Sequence, residues 1–309
     1  MPDTWPDTWP DADRTEVELT AGSARLAVDL RGGTLRQLAV GDWQVLDGYA
    51  PGTVAPGWRG AVLVPWPNRL RHGRWGWEGQ ELQLEVRSPE EPHAIHGLVG
   101  WQPWAVLAEA DGSVTVGTTV EPHPGYPFRL AVAVDHRLTA DRLTSTLRVQ
   151  NLGEAPAPFG AGLHPYLSVG ATADGGIGAA ELTLPARTEL LLDGGLPTGE
   201  RRPFEGAIGE IGDRPLDAPL TDLDRDADGW SHVRLRGRAG ELVLSADAAW
   251  PWLQVYSGDD LPVGQRRRSL AVEPMTCPPN ALADGVDLIT LGPGETWAGT
   301  WSLAWTPAA

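Results

Sequence analysis

The sequence predicts an all-β protein built as one large antiparallel β-sandwich. Three observations predict it. Many short β-favouring runs are spread evenly along the 309 residues, with no stretch of linker composition to divide them. No segment keeps a 3.6-residue apolar period over three turns. Gly (38) and Pro (28) fill the gaps between apolar runs, a turn load that suits short strands and works against long helices.

Residues 1–13 carry the tandem repeat P-D-T-W-P-D-T-W-P-D and read as a disordered or loosely docked acidic tail, leaving 14–309 as a single domain. Strand signals then follow at 16–19, 24–30, 34–40 and 43–46, with Arg31-Gly32-Gly33 as a turn. The apolar run 62–66 leads into P-W-P-N-R-L-R-H-G-R-W. Residues 74–77 and 81–86 form a hairpin about Glu78-Gly79-Gln80, and 104–108 and 114–120 flank the turn pair Asp111-Gly112. Runs 129–138 and 143–151 meet at Thr139-Ala140-Asp141, and within the first His136 is expected to face solvent. Residues 181–192 give one or two strands. Residues 194–230, rich in Asp, Gly and Pro, read as long loops crossing the sandwich. Strands at 232–235, 241–246, 252–256 and 270–273 follow, and 297–305 closes the chain with Trp at every fourth position.

Composition excludes several chemistries. The net charge of −17 argues against a nucleic-acid or membrane partner and biases against self-association, so a monomer or weak dimer is expected. All 24 cationic side chains are Arg. Without Lys there is neither a Schiff-base amine nor a phosphate-loop lysine. The one cysteine, Cys277, rules out an internal disulfide and thiolate zinc clusters, and either packs in the core or lines a site. No signal peptide is visible, and no apolar run approaches the roughly 18–20 residues of a membrane span, so a cytoplasmic location is expected. No G-x-G-x-x-G stands at a strand-to-helix junction, and Tyr256-Ser257-Gly258 lacks the elbow that would expose a nucleophilic serine.

The stretch S-L-A-V-E-P-M-T-C-P-P-N-A, 269–281, holds the most informative residue. An apolar strand delivers Glu273 and stops at a run of prolines. A carboxylate there is either a buried general base with a raised pKa or a rim residue with an ion-pair partner. Two of seven histidines sit among small and apolar residues: His96 in H-A-I-H-G-L-V-G-W and His164 in F-G-A-G-L-H-P-Y-L. Each reads either as a satisfied core histidine or as an acid/base group. His93 with His96 has the H-x-x-H spacing of metal ligands, but no third ligand or helix accompanies it. Asn68 and Arg69 follow a buried strand, and Arg69 could hold sugar hydroxyls by its planar fork; the alternative is a structural pair with an Asp. Of the fifteen Trp residues, Trp66, Trp75 and Trp101 adjoin these motifs and are placed near a ligand, where flat ring faces suit pyranose C–H faces. This kit of imidazoles, one carboxylate, one Arg and aromatics suits cofactor-free proton transfer on a sugar.

At this point the chain resembles the aldose 1-epimerase (galactose mutarotase) family over nearly its whole length. P-N-R-L-R-H-G-R-W, H-A-I-H-G-L-V-G-W, L-H-P-Y-L, L-D-A-P-L-T-D, W-L-Q-V-Y-S and A-V-E-P-M-T-C-P-P-N-A stand in the family's order. The resemblance implies a galactose mutarotase-like supersandwich and an isomerase that needs no cofactor or metal and exchanges the anomers of an aldose. It implies Glu273 as base, His164 as acid and His96 as a second imidazole at the ring oxygen. It further implies Arg69, Asn68, Asp217, Trp101 and Gln254 as substrate-binding residues, with Asp222 close enough in sequence to compete with Asp217. The P-M-T-C-P-P-N and H-P-Y variants are similar to a bacterial subgroup in which a sulfonated or phosphorylated hexose is an alternative substrate. Arg266-Arg267-Arg268 would then meet the anion or else form a solvated loop. A non-catalytic carbohydrate-binding protein on the same scaffold is a further alternative.

Overall fold

The computed structural model describes residues 14–87, 91–170 and 176–308, so the expected tail at 1–13 lies outside the described residues. The architecture is all-β and antiparallel, as the strand pattern predicts. The larger sheet contains twelve strands. Its main path runs Glu16–Ala21, Ala24–Asp29, Thr34–Val40, Trp43–Leu46, Tyr166–Leu167, Leu270–Met275, Trp252–Tyr256, Asp217–Thr221, Thr188–Asp193 and Leu196–Pro203. Gly162–Leu163 and Val62–Leu63 join it beside Leu270–Met275. The second sheet has nine strands, in the order Ala105–Ala110, Ser113–Val120, Leu130–Leu138, Arg142–Asn151, Thr296–Pro307, Gly240–Ala246, Ser231–Gly237, Glu181–Thr183 and Ala207–Glu210.

One apolar core joins the inner faces of the two sheets. Val17, Leu26, Leu38, Leu253, Leu270 and Val272 of the first belong to the same cluster as Val116, Val132, Leu147, Leu244 and Trp301 of the second. The closing Trp repeat is explained by strand geometry: residues four apart share a face, so Trp301 and Trp305 both enter this core. The hairpin between Arg74–Trp77 and Gln80–Gln83 turns on Glu78 and Gly79, at φ 47° and 81°. Both are the left-handed values a two-residue hairpin turn needs. Among the described residues no helix is long and apolar enough to cross a membrane.

Two expectations are corrected. Residues 194–230 are not simply loops: Leu196–Pro203, Ala207–Glu210 and Asp217–Thr221 lie within them. The first two are the terminal strands of their sheets, largely exposed, so they show no apolar alternation for a sequence reading to detect. His136 faces inward, 1% exposed, because it shares strand parity with Val132, Val134 and Leu138 of the core.

Candidate active site

Strand parity explains how Glu273 leaves the core. Leu270 and Val272 point between the sheets, so Ala271, Glu273 and Met275 project from the opposite face of the larger sheet. On the neighbouring strand Gln254 is the register partner of Glu273, and Tyr256 that of Ala271. Register partners share a face, so Glu273, Gln254 and Tyr256 floor one site. Asp217 pairs in register with Tyr256, and its Oδ1 accepts a hydrogen bond from Gln254 Nε2 at 2.5 Å.

The other flank of the Glu273 strand is interrupted. Gly162 pairs with Met275 and Tyr166 with Ala271, and the two residues between strands, His164 and Pro165, stand beside Glu273. His164 Nε2 lies 3.3 Å from Glu273 Oε1, with both side chains buried at 5% and 2% exposure. Thr276 secures this flank: its N–H donates to Ala161 O and its hydroxyl accepts the Ala161 N–H, each at 2.8 Å.

A third wall carries Asn68, Arg69 and His96. The short strands Arg69–Leu70 and Ala94–Ile95 pair, and the His96 N–H donates to Asn68 O. The Asn68 N–H in turn donates to Nδ1 of His96 at 3.1 Å. A neutral His96 ring with Nδ1 accepting must carry its proton on Nε2. The His96 imidazole meets that of His164 edge-on, centroids 5.2 Å apart. Gly97 follows at φ 76°, where an added Cβ would stand 2.2 Å from Val64 O, so this bend leaves no room for a side chain. Asn280 ties the wall to the exit of the Glu273 strand. Its N–H donates to Arg69 O at 2.7 Å, and its side-chain oxygen accepts the Arg71 N–H at 2.9 Å.

Electrostatics follow from burial. Burial pushes Glu273 well above the ordinary carboxylate range; the charge of Asp217 adds to this and Arg69 opposes it. Burial holds His164 down at about 3, with the Arg59 cation adding to the effect. His96 is likewise held well below its usual value, by burial first and then by His164 and Arg69. Asp217 keeps an open edge to solvent yet is raised by desolvation, against the pull of Arg69 and the Gln254 N–H. Three buried polar atoms here have no protein partner: Glu273 Oε2, His164 Nδ1 and Gln254 Oε1. Such unpaired groups are costly unless a ligand or solvent meets them.

Most of the expected site residues converge, in differing ways. Glu273, His164, His96, Gln254 and Asp217 form one cluster, within which Arg69 interacts electrostatically with Glu273 and Asp217. Asp217 is separated from its competitor: Asp222 is an exposed turn residue at φ 55°. The Arg69 Nε is held by Glu91 at 2.9 Å, so the ion pair weighed in the sequence exists, though with Glu. Asn68 belongs to the frame, its Oδ1 accepting the Arg69 N–H at 2.7 Å. Trp101 connects to the cluster through Trp58, which packs edge-on against both Trp101 and His96. Trp75 is placed elsewhere: it packs on Tyr126 and Phe128 and donates to Gly125 O. Cys277 is buried against Gly160, its thiol pushed up to about 12.

His93 and His96 do not share a centre. The Nδ1 of each accepts a different backbone N–H, from His72 and Asn68 respectively. Among the described residues no group of three or more His, Cys, Asp or Glu is arranged to hold a metal ion. The Arg triplet is engaged within its own surroundings: Arg266 with Leu261 O, Arg267 with Asp259 and Gly212 O, Arg268 with Asp47. The sequence reading passed over Trp58, Glu91, Thr276 and Asn280. Only Trp58 carried a signal, an aromatic beside Arg59 in the turn-rich A-P-G-W-R-G.

The profile of the aldose 1-epimerase family matches residues 15–304. A protein of Escherichia coli strain K12 known as uncharacterized protein YihR is 32% identical over 282 residues, covering 90% of this chain and 89% of its own. Two solved structures share the fold. The GalM/aldose epimerase homologue of C. elegans has a TM-score of 0.81 at 16% identity, covering 95% of this chain and 99% of that one. The galactose 1-epimerase of Lactobacillus acidophilus NCFM has 0.78 at 18%, covering 97% of each.

Proposed function

The chain belongs to the aldose 1-epimerase family, and from that premise we propose that it interconverts the α and β anomers of an aldose by acid/base ring opening and closure. The observation that carries this reading is the contact of His164 Nε2 with Glu273 Oε1 at 3.3 Å in a buried site. Two groups that exchange protons must work in concert, and burial brings both closer to the uncharged form at rest. The pair therefore carries one mobile proton, stored on Glu273 and passed to His164 as the sugar hydroxyls enter.

In the reactive arrangement Glu273 takes the proton of the C1 hydroxyl while His164 protonates the ring oxygen. The C1–O5 bond breaks, giving an aldehyde and a free C5 hydroxyl. Rotation about C1–C2 presents the other carbonyl face. On closure the C5 hydroxyl returns its proton to His164, and Glu273 reprotonates the former carbonyl oxygen. Protons balance, and the chemistry asks for no metal, nucleotide or covalent intermediate. His96 offers its Nε2–H to the ring oxygen, and Arg69 with Asp217 and Gln254 holds the remaining hydroxyls. An acid/base group of this kind contributes about 10²–10⁴-fold.

The test is anomer exchange followed by NMR or polarimetry on freshly dissolved α-glucose and α-galactose. The protein is expected to speed equilibration, and Glu273→Gln to remove that effect. Sugar binding without faster exchange would instead identify a binding protein on this scaffold.

A further inference from the structure

The hairpin that ends the larger sheet reaches the wall that carries Arg69. Strands Thr188–Asp193 and Leu196–Pro203 are joined by Gly194 and Gly195, with Asp193 and Leu196 paired in register. Both glycines take left-handed values, φ 56° and 77°, the pair that a two-residue hairpin turn requires. Their surroundings differ. A Cβ at Gly194 would meet nothing within 4 Å, whereas one at Gly195 would stand 2.8 Å from Cδ and 2.9 Å from Cζ and Nε of Arg69.

Those three near-equal distances fix the orientation. Cδ, Nε and Cζ are bonded in sequence, so a point in their plane would lie clearly closer to Nε on its N–H side, or clearly farther on the other. The turn therefore packs against a face of the guanidinium. The N–H edge is left to Glu91, whose Oε2 accepts from Nε at 2.9 Å. The main chain of Arg69 is held as well. Its N–H donates to Asn68 Oδ1 and its carbonyl accepts from the Asn280 N–H, each at 2.7 Å. Among the described residues no hydrogen bond engages either Nη.

The charge of Arg69 is felt by Glu273, Asp217 and His96, so the guanidinium belongs to the site as well as to its frame. We propose that Glu91 and Gly195 are positioning residues: Glu91 holds the Nε edge of Arg69, Gly195 braces one face by carrying no side chain, and the two Nη groups are thereby aimed at the substrate hydroxyls. This rests on the mutarotase reading above, in which Arg69 binds those hydroxyls. A guanidinium held on one edge and one face has little rotamer freedom left to lose when a ligand arrives, and a preorganised fork binds more tightly than a mobile one.

The test measures kcat and KM for anomer exchange of glucose and galactose by NMR. Gly195→Ala and Glu91→Ala are each expected to raise KM about tenfold with kcat within about threefold, the pattern of lost uniform binding at the low end for a charge-assisted hydrogen bond. Gly194→Ala imposes the same backbone strain without touching Arg69, and should leave KM within about twofold of wild type. Glu91→Gln keeps an oxygen for the Nε–H and should restore most of the Glu91→Ala loss. In an Arg69→Ala background neither substitution should raise KM further, since both act through Arg69. Should Gly195→Ala fold poorly, the Glu91 variants decide alone. Equal rises in Gly194→Ala and Gly195→Ala, an unchanged KM in Gly195→Ala and Glu91→Ala, or losses that persist without Arg69 would overturn the positioning role and leave the mutarotase reading intact. No acceleration of either sugar by the wild type would overturn both.

Discussion

The imidazole of His164 lies parallel to the ring of Tyr166, centroids 5.0 Å apart and planes 9° from coincidence. Tyr166 is fixed in its turn. Its hydroxyl donates to Gly57 O at 2.9 Å, and the Arg59 guanidinium lies 4.6 Å from its ring centroid. Arg59 is held by buried Asp47, which also accepts from Arg268 and Ser269. The plane of the imidazole that meets Glu273 is thus set by a chain of contacts running from Tyr166 through Arg59 to Asp47.

Tyr166→Leu is accordingly expected to lower kcat by about 10–100-fold with KM changed less than about threefold, because a slightly misplaced acid is costly while binding contacts persist. Tyr166→Phe keeps the ring and should stay within a few-fold of wild type. NMR exchange rates over a range of sugar concentrations decide this; equal losses in the two variants would point to the hydroxyl instead.

Glu273 and His164 act as a unit, so their losses should not add. Glu273→Gln and His164→Asn are each expected to cost about 10²–10⁴ in kcat/KM. The double variant should be within about tenfold of the weaker single one. Multiplying losses would show that the two groups work on separate steps.

Gly97→Ala places a methyl group 2.2 Å from Val64 O at a residue with φ 76°. The expected destabilisation is about 2 kcal/mol or more, with activity falling as well because His96 precedes the bend. Urea unfolding measures the first, and a stability equal to wild type would show that the loop relaxes.

His136 gives a pH prediction away from the site. It faces Ser145, with its pKa lowered by burial from 6.5 to about 3. Below pH 6.5 the unfolded chain binds a proton that the fold refuses, so stability falls with falling pH. One group contributes about 1.4 kcal/mol per pH unit until the folded pKa is reached, and nothing above the unfolded one. His96 and His164 act in the same direction. His136→Leu should therefore lose less stability than wild type between pH 7 and 5, as read from urea midpoints.

Most of the strand pattern was legible because period-two alternation and turn residues are local signals. Glu273, His96 and His164 stood out for a related reason: an ionisable group amid small and apolar residues is a local anomaly. What stayed hidden depends on neighbours distant in sequence. The edge strands Leu196–Pro203 and Ala207–Glu210 bury too little to alternate. The inward turn of His136 is set by a parity that a hydrophilic residue masks. Glu91 matters through the Arg69 side chain, and Thr276 and Asn280 through backbone groups, that they meet across the fold.

The floor and both walls of the site hang on one short span, the strand that carries Glu273 and its exit through Thr276 to Asn280. For an engineer this divides the chain into tolerant and intolerant places. New termini or an inserted reporter at the hairpin after Ala110 would strain only the far sheet. A single extra residue after Cys277 would detach the imidazole flank from the guanidinium wall, and would be felt as lost turnover before it was felt as lost folding.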